Sequence, residues 1–290
     1  MNRALVALML VVALLSISSA SILVILSRAE PEACAFWRVL IAGLLLGASY
    51  PVARRSPRAG VGRWVALSVL SGAFLSAHFI TWMRSLFMVP VAVSTTVVVT
   101  YPLISAIPDS LVFRERVTAL QLASLATSLA GVALFTQPAV LGGYDIRGVT
   151  LAFTGSVFAS MYFTLGKYVR RGLGLVEYTA TAYLSAALVT LLFSALSGVN
   201  VASYPPTTYA FFIALAAVPM IGGHTVMNYL IKYLKVSVTT AIALGEPVGA
   251  SILAYLVLGQ SLTPQQVGAM AVTLSGLALL YTAELKGVKP

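Results

Sequence analysis

Residues 101–134 read YPLISAIPDSLVFRERVTALQLASLATSLAGVAL, and residues 246–279 read EPVGASILAYLVLGQSLTPQQVGAMAVTLSGLAL. The second stretch lies 145 residues, half the chain length, beyond the first. At that displacement Pro102 falls on Pro247, Ile107 on Ile252, Leu111 and Val112 on Leu256 and Val257, Thr118 on Thr263 and Gln121 on Gln266. Gly131, Ala133 and Leu134 fall on Gly276, Ala278 and Leu279. Upstream, Val91, Val93 and Thr95 match Val236, Val238 and Thr240, and Glu32 falls on Glu177. Over the 51 pairs that start at Leu86 and Ile231, 14 are identical without a gap. Apolar composition inflates such scores, so the shared Pro, Gln and Gly positions carry the weight. They make the chain a tandem duplication.

Composition fixes the solvent of the repeated unit. Of 290 residues, 59% are hydrophobic and 9% charged, with a mean hydropathy of +0.96; a soluble domain carries about 25% charge. A water-soluble fold is excluded. A helix that spans a bilayer needs roughly 20 mostly apolar residues. Ten such runs are present, at about 4–26, 33–50, 64–85, 91–112, 117–136, 148–169, 176–196, 208–230, 236–258 and 264–283. The first run is longer than a signal-peptide core and has no convincing small-residue cleavage motif, so it reads as a retained helix. The net charge of +10 does not imply a nucleic-acid partner, which would need a basic groove on a soluble surface; here the basic residues sit at the ends of apolar runs. The single cysteine, Cys34, excludes an internal disulfide and any Cys-rich metal site.

With the N-terminus in the cytoplasm, one set of loops and span ends holds Arg3, Arg54, Arg55, Arg58, Arg63, Arg114, Arg116, Lys167, Arg170, Arg171, Lys232, Lys235, Lys286 and Lys289, and the other only Arg28 and Arg147. Fourteen against two sets the orientation by the positive-inside rule. An even number of spans then puts both termini in the cytoplasm. Each half, 1–145 and 146–290, contains five spans, an odd number, so the second half enters the membrane from the opposite side. Inverted repeats of this kind carry a pseudo-two-fold axis in the membrane plane and a site at the repeat interface. The fold expected is an all-α polytopic membrane protein: ten transmembrane helices in two inverted five-helix repeats around a central cavity.

The quoted stretches resemble the two copies of the EamA domain in the drug/metabolite transporter superfamily, and AFWRVLIAGLLL (residues 35–46) is similar to its Arg-bearing second helix. The shared features are the mid-helix Pro, the polar or acidic residue before a "lt/vt" helix start, the Gln that follows and the late Gly. Gln260 departs from the Glu of many members, whereas Glu115 keeps it. The resemblance implies a basket of helices around a cavity, helices 5 and 10 peripheral, and transport of small metabolites, often amino-acid export of the YddG type.

Charges at mid-span are costly, roughly 2.5–3.5 kcal/mol on insertion scales, and should face a cavity or a partner. Glu246, about ten residues into its span and directly before Pro247, is the clearest case. It would bind a substrate ammonium or take up a proton, or else pair with Arg84 or Arg38 for packing alone. Pro247 and its repeat partner Pro102 each remove a backbone donor, which makes them candidate hinges. Arg38 would face the cavity and a substrate carboxylate, or snorkel, as Arg84 is expected to do. His78 and Trp82, and His224 and Asn228, are spaced four apart on equivalent helices, so each pair shares a face. Tyr101, the repeat partner of Glu246, completes the expected contacts. Asp109 is expected to form an ion pair with Arg114 or Arg116, Glu32 and Glu177 to serve helix N-termini, and Ser16, Ser19, Ser156 and Ser160 to let helices approach.

There is no HExxH helix, no GxxxxGK[ST] loop and no paired aspartate motif. An enzyme is not expected, nor a cofactor, a bound metal or an ATP-driven motor. Energy would come from the substrate gradient, the membrane potential at about 2.3 kcal/mol per charge per 100 mV, or protons. The expected function is a secondary transporter of small polar metabolites, amino acids first, working in the lipid bilayer by alternating access. The alternatives are a carrier of sugar phosphates or nucleotide sugars, which needs several cavity cations, and a membrane-embedded lipid-handling enzyme.

Overall fold

The computed structural model describes residues 2–49, 61–140, 145–258 and 262–287. Arg54, Arg55, Arg58, Gln260 and Lys289 lie outside them, as does part of the 137–147 connection. The described chain is all helical. Its elements are α1 (Arg3–Ser27), α2 (Pro31–Ala48), α3 (Val61–Ser85), α4 (Val91–Val98 and Tyr101–Leu111), α5 (Ala119–Val140), α6 (Ile146–Val169), α7 (Leu175–Leu196), α8 (Pro206–Leu230), α9 (Val236–Thr240, Ala241–Gly245 and Glu246–Leu258) and α10 (Pro264–Gly287). Eight of them are long and apolar enough to cross a membrane; α4, which is broken, and α5 are the other two. Large side chains such as Leu8, Leu15, Leu188 and Leu196 project from the outside of the bundle. Such a surface suits lipid, where helices are favoured because each backbone donor is satisfied within its own segment.

Four helices depart from regularity, all of them around the centre. In α1 the turn at Ser19 interrupts the helix, and the hydroxyls of Ser18 and Ser19 donate to the carbonyls of Leu14 and Ser16. α4 stops at Val98 and restarts at Tyr101, with Pro102 in the first turn of the new segment. α9 passes through a 3-10 turn, Ala241–Gly245, and restarts at Glu246 with Pro247 second. The two prolines therefore occupy the first-turn positions where a missing N–H costs no hydrogen bond, and each break lies just before its proline. α8 is distorted differently: Ala216–Thr225, which contains Pro219, forms a π-helix.

Helix packing maps onto itself when the halves are exchanged. α3 packs on α6 as α8 does on α1, α3 on α7 as α8 does on α2, and α2 with α7 and α5 with α10 are self-paired. The α5–α10 contact shows the relation residue by residue. A Cβ built on Gly131 would meet Thr273 and Ala269, and one on Gly276 would meet Ser128 and Ser124; Thr273 and Ala269 are Ser128 and Ser124 displaced by 145. Gln121, early in α5, meets Glu284, late in α10, so the two helices run antiparallel. The halves are thus inverted relative to one another. Two three-helix bundles result, α3 with α4 and α6, and α8 with α9 and α1, each borrowing one helix from the other half.

Gly131 and Gly276 leave no room for a side chain, since backbone or hydroxyl atoms of the facing helix lie within 2.8 Å of where a methyl group would stand. Gly131→Ala and Gly276→Ala are each expected to destabilise the protein by about 1–3 kcal/mol and by similar amounts. Thermal unfolding in detergent checks this.

Candidate functional site

The two bundles meet around a cavity lined by Ile17, Ala20, Arg38, His78, Phe79, Trp82, Val98, Tyr101, Pro219, His224 and Glu246. Six of the seven residues expected to bind a solute, Glu246, Arg38, His78, Trp82, Tyr101 and His224, are among them. The cavity is small, about 20 Å³, which is room for a water molecule and not for a metabolite. The helix breaks account for its position. The restart of α4 carries Tyr101, the restart of α9 carries Glu246, and the π-helix of α8 carries Pro219 and His224.

Arg38 is 1% exposed and Glu246 7% exposed. They act on each other electrostatically, yet among the described residues they form no ion pair. The guanidinium lies over the Phe79 ring at 4.1 Å, while its Nε and Nη1 have no hydrogen-bond partner, nor has Glu246 Oε1. Trp82 Nε1 and His224 Nδ1 are buried and unpartnered in the same way. An unmet buried charged group costs more than a neutral one, so this lining offers several N–H donors and a carboxylate acceptor to anything that enters. The alternative in which Glu246 pairs with Arg84 is excluded, because Arg84, in the last turn of α3, donates from Nε to Glu32 at the start of α2.

Aromatic rings form the wall. His78 and Trp82 stack at 6.2 Å and 6°, Tyr101 stacks on Phe163 at 5.9 Å, and His224 stacks on Phe163 at 5.7 Å. His78 Nδ1 lies 2.9 Å from the carbonyl of Gly155. A carbonyl only accepts, so Nδ1 carries the proton and a neutral ring leaves Nε2 as acceptor.

Asn228 lies outside this lining. Its amide donates to Tyr162 Oη, to the carbonyl of His224 at 2.9 Å and, at 3.5 Å, to Tyr183 Oη. Buried hydroxyls need partners, and Tyr162, Tyr178 and Tyr183 are all fully buried beside it. Ser71 and Thr225 complete the network. It plugs the bundle on the side of the cavity toward the face that carries the N-terminus, hereafter the N-terminal face.

Asp109 also departs from expectation. It forms no ion pair with Arg114 or Arg116 among the described residues; its carboxylate accepts the backbone N–H groups of Val236 and Ser237 at 2.9 and 2.7 Å. Those are the first donors of α9, which a carboxylate satisfies well. Glu177 behaves as expected, accepting from Gly174 N at 2.6 Å in a capping box. Glu32 lies in the first turn of α2 but directs its carboxylate at Arg84. Ser16 abuts Gly222, while Ser156 and Ser160 bond Thr100 and Ser105 across α4 and α6. Sequence reasoning missed Phe79 and Pro219. Phe79 adjoins His78, and Pro219 lies three residues before Gly222 and Gly223 inside an apolar run, a pattern that marks a disturbed helix.

Comparison with known proteins agrees with this architecture. A crystal structure of a protein, without further description, superposes with a TM-score of 0.78 at 18% identity, covering 98% of this chain and 99% of that one; at such identity the likeness concerns the fold. No curated protein matches. The EamA-like transporter family matches residues 2–137 and again residues 146–282. Nearly the whole chain is covered by two copies, and this multi-pass membrane protein belongs to the EamA-like transporter family, a family of transporters and not of enzymes.

Proposed function

We propose that the protein is a secondary transporter of small zwitterions, amino acids foremost, which moves them across the cytoplasmic membrane by alternating access. Both termini face the cytoplasm, and residues 1–145 and 146–290 are the two repeat units. One observation carries the reading: Arg38 and Glu246 face one cavity without pairing, each with an unmet polar atom. A carboxylate on Arg38 and an ammonium on Glu246 would meet both needs at once, with the stacked rings of His78, Trp82, Tyr101 and His224 against the side chain. Asn228 supports the site by holding Tyr162 and the backbone of His224. Pro102 and Pro247 serve as hinges at the two helix restarts. A solute larger than water enters only when the bundles part, which is what rocking about such hinges supplies. A carrier of sugar phosphates would need further cations, and Arg38 is the single cationic residue in the lining. Protons are a candidate second cargo through Glu246.

Counterflow in proteoliposomes with a panel of amino acids and phosphorylated sugars tests the substrate class; exchange of a phosphorylated sugar with no response to any amino acid overturns it. Glu246→Gln is expected to lower exchange by about thirtyfold or more, or to remove its pH dependence, since a desolvated charged contact is worth about 2–5 kcal/mol. Its thermal unfolding should stay close to that of the parent. Arg38→Lys keeps the charge but loses the planar fork, and it should raise the apparent KM more than it lowers the maximal rate. Unchanged kinetics in both variants would remove these residues from the site.

A further inference from the structure

The hydrogen bonds that join the two bundles gather between the cavity and the N-terminal face. Asn228 of α8 donates to Tyr162 of α6. Lys167 of α6, held by Glu115, donates to the carbonyl of Leu234 at 3.0 Å. Asp109 of α4, fully buried, accepts from both Val236 and Ser237 at the start of α9. Around them Lys235 donates to Gln121 Oε1 at 2.8 Å and lies 4.0 Å from Glu284. Of these contacts the Asp109 pair is the one in which a charged group crosses directly to two backbone donors, and hydrogen bonds to ionised acceptors are about twice as strong as neutral ones.

The duplication makes the asymmetry plain. Val236 is the repeat partner of Val91, and the repeat partner of Asp109 is Ala254. Alanine has no side-chain oxygen with which to accept the first donors of α4, so the opposite face cannot build the same contact. There the first segment of α4 packs against the last segment of α9.

We propose that Asp109 is a one-sided latch: its carboxylate holds the two bundles together at the N-terminal face, must release Val236 and Ser237 each time that face opens, and thereby biases the protein toward states closed on that side. Asp109 is a positioning residue, since it is not among the residues that line the cavity. The inference rests on the alternating-access reading given above. The geometry fits a latch better than a static staple, because both donors begin α9 in the opposite bundle and the acceptor sits at the end of α4, so that each side of the contact is divided from the rest of its helix by a break, at Thr100 in α4 and at Ala241–Gly245 in α9.

Distances between spin labels on the full chain in lipid nanodiscs test it. In a Cys34→Ser background, one pair at the exposed positions Val112 and Tyr233 reports the N-terminal face, and a second at Ile146 and Thr207 reports the opposite face. Asp109→Asn is expected to raise the ratio of open to closed N-terminal face by about tenfold, the equivalent of one charged hydrogen bond, with reciprocal shortening of the second pair. Val236→Pro removes one donor while leaving Asp109 in place. Proline is favoured at the first helical position, and Lys235 before it already has the extended ψ of 151° that a following proline requires. It should shift both pairs in the same direction, and it decides the matter if Asp109→Asn fails to fold. Unaltered distance distributions in the folded variants overturn the latch. Should the distances respond while no solute of the counterflow panel moves, the substrate reading fails and the latch stands. Should transport proceed with distances unmoved, the latch falls and the transport reading stands.

Discussion

Inside a bilayer the hydrophobic effect does not press helices together, since lipid tails are as apolar as leucine, so close backbone approach must do that work. This constraint organises the protein. Gly72 sits against the carbonyl of Ala182, Gly131 against Thr273, Gly222 against Ser16, and Gly249 against Ser18. These approaches join α3 to α7, α5 to α10 and α8 and α9 to α1, which are the contacts that define the two bundles and their frame. Because contacts between small residues are made along whole helices, the helices tolerate breaks where they face one another, and the breaks expose Tyr101 and Glu246 to a shared space.

Mid-membrane polarity then takes two forms that differ in how well it is satisfied. The tyrosine network with Asn228, Ser71 and Thr225 has its hydroxyls paired and acts as packing. The cavity lining leaves donors on Arg38 and Trp82 and an acceptor on Glu246 unmet. The network leaves only a neutral atom, Asn228 Oδ1, without a partner, whereas the unmet atoms of Arg38 and Glu246 belong to charged groups, whose cost when unmet is larger.

Much of this is legible in the sequence. The ten apolar runs mark the spans, and the 145-residue displacement marks the inversion, because both follow from composition and counting. The cavity residues follow from the cost of intramembrane charge (Glu246, and Arg38 with the family resemblance), from spacing on a helix (His78, Trp82 and His224) and, for Tyr101, from its position opposite Glu246 in the repeat. Asn228 has the same four-residue spacing as Trp82, but its amide turns toward tyrosines brought from α6 and α7, which no local pattern reports. Asp109 has Arg114 and Arg116 as its sequence neighbours, whereas its partners lie 127 and 128 residues away. The π-helix is invisible for a related reason: Pro219 removes one donor from α8, but the widened turns that follow it also engage side chains, as where the Thr225 hydroxyl donates to the carbonyl of Met220 five residues earlier.

That π-helix occurs in α8 and not in its repeat partner α3, which runs unbroken from Val61 to Ser85. The duplicated gene has therefore lost mirror equivalence at the one helix pair that brings a histidine from each copy. For a carrier that draws on no external energy, detailed balance ties unequal affinities on the two sides to an unequal resting distribution of its end states. The difference lies in the ten residues Ala216–Thr225, and a carrier built in this way is free to run at unequal rates in its two directions while its thermodynamic endpoint stays that of a symmetric one.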